Sequence, residues 1–157
     1  MAIQVMDRKA ADNKYLHRDF HVSTDAGLAY VGKLWGDAGV KEYLERFTHS
    51  WYGPLIADLR EQGLKAMREH IEKTYNTEEA ADVLHINANE NELSVLIDRC
   101  PAVTYMRSIG HEPSPWYREL TSTVNSIIAR EGGFDFEMIS YDEQTGKAAY
   151  RFCKRGM

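Results

Sequence analysis

Two cysteines in 157 residues cannot build a disulfide framework, so the reducing cytoplasm is the expected compartment. No apolar run approaches the roughly 20 residues that cross a bilayer. Residues 1–9 lack the basic, apolar and small-residue regions of a signal peptide. Lysine and arginine form no stripe, and 24 acidic against 19 basic residues leave a net charge of −5, which argues against a nucleic-acid binder. Also missing are a glycine-rich phosphate loop, a Cys-x-x-Cys pair, a serine-centred elbow, internal repeats and low-complexity tracts. What remains, 43% hydrophobic and 27% charged, reads as one soluble domain over residues 1–157. A chain of this length can bury about 70% of its unfolded surface.

The hydrophobic period divides the chain in two. Residues 1–13 are polar and read as a loose arm. Residues 15–35 then predict a helix with Leu16, Phe20, Leu28, Val31, Leu34 and Trp35 inward. Gly36 is the expected stop and Asp37 the expected cap of a second helix carrying Val40, Tyr43, Leu44, Phe47 and Trp51. Gly53-Pro54 and Gly63 punctuate two further helical segments. Alternation over residues 82–87 and 92–98 then predicts a β-hairpin, with Leu93, Val95 and Ile97 on one face. A short helix after Cys100-Pro101 closes at Gly110, and Ser114 is the expected cap of a helix over 115–131. A second hairpin over 134–141 and 147–153 completes an α+β fold, a helical layer on a four-stranded antiparallel sheet.

Three constellations carry chemistry. Cys100 sits where a strand ends and Pro101 opens a helix, and free backbone N–H groups there would favour its thiolate. It reads as a nucleophile, a metal ligand or a small buried hydrophobe. Arg99 beside it suits bidentate capture of a substrate carboxylate. His17 and His21, spaced i,i+4, put two imidazoles on one helix face, as a divalent metal requires, or as a solvated face allows. A further metal ligand would come from His49, His111, Glu119 or Cys100. His49 and Tyr52 share a helix face as an acid/base pair, unless Trp51 and Tyr52 pack inward and leave His49 in solvent. Cys153, at the end of the last strand, reads as structural. A cavity lined by Tyr30, Trp51, Tyr52, Tyr105 and Trp116 would accept a small molecule.

Asp98-Arg99-Cys100-Pro101, Gly110, the helix over 121–129, and the hairpin over 134–152 ending in Tyr150-Arg151-Phe152 together resemble the L-2-amino-thiazoline-4-carboxylic acid hydrolase family. The family often carries further cysteines where this chain has Leu120-Thr121-Ser122-Thr123 and Ala148-Ala149-Tyr150. The resemblance implies a small α+β domain, related in layout to 4-vinyl-reductase-like ligand-binding domains. It also implies hydrolytic opening of a cyclic C–N bond in a polar, carboxylate-bearing substrate to give an N-carbamoyl amino acid. On this reading Cys100, His21 and His49 are catalytic. Arg99, Tyr52, Tyr105 and Trp116 contact substrate, and His17 and His21 hold one zinc, manganese or iron ion. The alternatives are a non-catalytic small-molecule-binding or sensory domain, and an interaction subunit pairing with itself or a partner enzyme. The expected partners are a small molecule and, in a homo-oligomer, further copies of the chain; nucleic acid and membrane are not expected.

Overall fold

The computed structural model describes residues 14–156, with side chains from Arg18 onward. The expected arm over 1–13, the inward Leu16 and the His17 imidazole lie outside the described residues. Helix α1 spans Lys14–Trp51 but breaks at Gly36, where φ is 65° and ψ is −163°. In a straight helix Phe20 and Trp51 would stand roughly 46 Å apart at 1.5 Å per residue. Their rings instead stack with centroids 6.4 Å apart. The arms 14–35 and 37–51 therefore fold back as an antiparallel hairpin about Gly36. That backbone conformation is open essentially to glycine alone. Gly63, at φ 70° and ψ −156°, makes the same turn between α2 (Gly53–Gln62) and α3 (Leu64–Thr77).

The hairpin buries Leu28 from one arm and Val40 and Leu44 from the other. They join Leu59, Met67 and Ile128 in the main core. Phe20, Leu34, Trp35, Tyr43 and Trp51, expected inside, are exposed instead. The first arm turns residues 25, 28 and 32 inward, so apolar neighbours one step round the helix face outward. Asp37 is not a cap; its Oδ1 accepts the indole N–H of Trp116 at 2.8 Å.

After a 3-10 turn (Ala81–Val83) come β1 (Leu84–Ala88) and β2 (Glu92–Ile97). Helices α4 (Pro101–Ser108) and α5 (Glu119–Gly132) follow, and then β3 (Phe134–Tyr141) and β4 (Ala148–Lys154). The sheet is antiparallel in the order β1-β2-β4-β3, two hairpins joined along β2 and β4. Register sets Leu93 opposite Phe152, Val95 opposite Tyr150 and Ile97 opposite Ala148, all buried beneath the helices. The other face carries Ser94, Arg151 and Glu137 in a polar row. This is the α+β arrangement that the patterning predicts.

Two boundaries differ from expectation. The 3-10 turn delays β1 to Leu84. Helix α5 starts at Glu119, because residues 115–118 form tight turns, with Glu119 N–H donating to Trp116 O at 2.9 Å. Ser114 does not cap it: its N–H is drawn to the Asp25 carboxylate, and its hydroxyl has no partner. Among the described residues no helix is long and apolar enough to cross a membrane.

Candidate functional site

The turn between β2 and α4 places Cys100 as local sequence predicts, with Pro101 opening the helix. Cys100 N–H donates to Thr145 O at 2.9 Å, pinning this turn to the β3–β4 loop. A Cβ on Gly146 would lie 2.3 Å from Cys100 Cβ, so the contact needs glycine there. The thiol, however, is not activated. Burial pushes its pKa up, and the nearby Glu78 charge adds to the rise. The backbone N–H groups of Val103 and Ala102 oppose this and lose. The expected thiolate is therefore replaced by a protonated thiol at neutral pH.

Four tyrosines from four parts of the fold lie within electrostatic reach of that thiol: Tyr75 from α3, Tyr117 ahead of α5, Tyr141 from β3 and Tyr150 from β4. Burial is the main cause that raises each phenol pKa, and interaction with Cys100 raises it further. All four hydroxyls stay protonated. Tyr150 points inward by strand alternation, between Ala148 and Phe152.

Two carboxylate–imidazole pairs close the region on the α1 side. His21 Nε2 lies 2.8 Å from Glu78 Oε1, with the side chains 12% and 10% exposed. Asp25, almost fully buried, holds His111 Nε2 at 2.7 Å and also accepts the Ser114 N–H at 2.9 Å. Glu78 raises the pKa of Cys100 as well as of Tyr75 and Tyr117, and Asp25 that of Tyr117, so both pairs adjoin the thiol–phenol cluster. The arrangement offers neutral hydrogen-bond donors, a proton acceptor in the His21–Glu78 pair, and no strong nucleophile.

The other expected site residues lie elsewhere. His49 sits with Glu45 and Glu131 at the C-terminal end of α5. Leu120, which packs against the same small apolar cluster as Cys100, is at the N-terminal end, roughly 16 Å away along the helix at 1.5 Å per residue. Arg99 is exposed and reaches Asp82 at 3.6 Å. Tyr52 lies edge-on to His70 and lines a separate cleft of about 370 Å³ with Trp51 and Lys73. Tyr30 is exposed on α1. Tyr105 packs under the Arg18 guanidinium at 5.8 Å, and Trp116 covers Gly32 as a brace for the α1 hairpin. Cys153 lines a cleft of about 590 Å³ with Glu92 and Arg151 on the outer side of the sheet.

For a metal, Glu45, His49 and Glu131 bring their donor atoms within 4.8 Å of one another. The Arg130 guanidinium already bonds both carboxylates, so a cation there would have to displace it. Sequence reasoning missed Glu78, Asp25 and the four tyrosines, and offered His111 only as a further metal ligand, where it pairs instead with Asp25. Only the alternation around Tyr150 signals one of them, because the rest converge from separate elements. No family model and no curated protein matches the chain.

Proposed function

We propose that the protein is a cytoplasmic small-molecule hydrolase that opens a cyclic C–N bond, amide or amidine, in a polar, carboxylate-bearing substrate, as its resemblance to the L-2-amino-thiazoline-4-carboxylic acid hydrolase family implies. The observation that carries this reading is the His21–Glu78 pair beside a protonated thiol and four protonated phenols. Glu78 orients the imidazole to take a proton from water as that water adds to the ring carbon. Phenol O–H groups donate to the carboxylate and to the atom that gains negative charge. The ring C–N bond then breaks, and the proton returns to the departing nitrogen. Cys100 serves as a wall and weak donor.

One divalent ion on His17 and His21 is the alternative form of the same proposal, in which His21 would ligate the ion in place of taking the proton; Glu78, 2.8 Å from His21, is a third donor of suitable chemistry. A bound ion would supply a Lewis acid and a more acidic water.

The neutral thiol favours a second reading, in which the same interior binds a polar ligand without reacting. Turnover of a cyclic amide and amidine panel separates the two. In a hydrolase, Glu78→Gln lowers kcat by about 100-fold or more, while Cys100→Ala chiefly raises KM. If the wild type turns over nothing yet is stabilised against heat by a panel member, the binding reading stands. No turnover and no thermal shift defeats both. Metal content of wild type and His17→Ala, both purified without chelators, decides the ion: a stoichiometric metal lost in the variant supports it, and its absence from the wild type removes it.

A further inference from the structure

The α1 hairpin carries a second apolar face, whose inner edge, Val31 and Phe47, also packs on the core. Phe20, Tyr30, Leu34, Trp35, Tyr43 and Trp51 are 44–64% exposed on it. The rings run continuously at the open end of the hairpin: Phe20 stacks on Trp51, Trp51 on Phe47, and Phe47 on Tyr43. Toward the turn the face continues over Gly39, where a Cβ would meet Trp35 and Val31. On the first arm, positions 20, 24, 27, 31 and 34 follow the alternating four-three spacing of a helix-packing seam, and none carries a charge. Within the seam Gly27 is open, with nothing within 4 Å of an added Cβ.

We propose that this face is the interface of a homodimer, two hairpins packing as a four-helix bundle. Area is the first argument. Five aromatic side chains of about 150–250 Å² each, roughly half exposed, leave on the order of 600 Å² of apolar surface. A stable dimer buries about 800 Å² per partner, so the face supplies most of one side of such an interface. Monomeric proteins rarely leave a contiguous apolar patch of more than a few hundred Å² in water. Shape is the second argument. Two antiparallel helices present a ridged face that a second copy matches through a two-fold axis, each hairpin offering the other the same seam.

Light scattering of the full chain at micromolar concentration tests this. The expected mass is twice the 18.0 kDa of one chain. Gly27→Arg places a charge in the seam and Trp35→Glu places one on the exposed face beside it, and each should give monomers. Both change exposed helical positions, so unaltered circular dichroism and thermal unfolding measured on the monomeric variant confirm that the fold survives. A monomeric wild type overturns the proposal, including one that binds vesicles or another protein through this face. A dimer that withstands both substitutions places the interface elsewhere and overturns it equally.

Discussion

At Cys100 two opposing effects meet in one side chain. A helix start offers N–H groups to the sulfur, and burial withholds water from it. Burial wins because the thiol packs with Ala102, Val103, Met106 and Tyr117 away from water, and the one nearby charge that raises its pKa is negative. The contact that holds it there is as specific as its environment. Gly146 combines φ of 68° with a Cβ position 2.3 Å from Cys100 Cβ, so Gly146→Ala meets backbone strain and overlap together. The strain alone costs about 1–3 kcal/mol, and urea denaturation should show at least that loss. A variant as stable as wild type would mean that the turn and the β3–β4 loop are not held in this contact.

At the scale of elements, two glycines fold four helical segments. Gly36 and Gly63 share a conformation with positive φ and extended ψ that lets consecutive helices reverse without a loop. Gly36→Ala should therefore destabilise by about 1–3 kcal/mol. Gly27→Ala, at a helical and open position, should stabilise by up to about 1 kcal/mol. Denaturation midpoints moving in opposite directions for these two alanines check the assignment. Equal effects would mean that Gly36 is an ordinary helical residue. The Trp116 indole secures the tip of the same hairpin, bonded to Asp37 and seated on Gly32. That is why an aromatic residue expected in a pocket serves as a brace.

For the molecule as a whole, five acidic groups that interact through Cys100 stay neutral: Cys100, Tyr75, Tyr117, Tyr141 and Tyr150. Each holds its proton more tightly folded than unfolded, so their contribution to stability is complete below the ordinary thiol and phenol values of 9.0 and 10.0. As pH rises past those values the unfolded chain releases protons that the native state retains, and stability falls. Each such group contributes up to about 1.4 kcal/mol per pH unit. Urea midpoints should drop steeply above about pH 9, and Tyr150→Phe should reduce the slope by about one proton. A profile flat into that range would remove the neutral cluster.

The chain by itself determined what depends on neighbours in sequence. Strand alternation set Leu93, Val95, Ile97 and Tyr150 inward, glycine and proline placed the breaks at Gly36, Gly53-Pro54 and Gly63, and Pro101 marked the helix start after Cys100. Period and turn chemistry are local, so the α+β class was legible. Tertiary structure alone decided which apolar stripe of α1 is the core and which faces water, because each arm carries more apolar residues than one face can bury. It alone brought Glu78, with its partner His21, and four tyrosines within electrostatic reach of the thiol, and sent His49, Arg99 and Trp116 to other tasks. The protonation state of Cys100 follows from groups that sequence separates and packing joins, and no spacing along the chain encodes the burial that sets it.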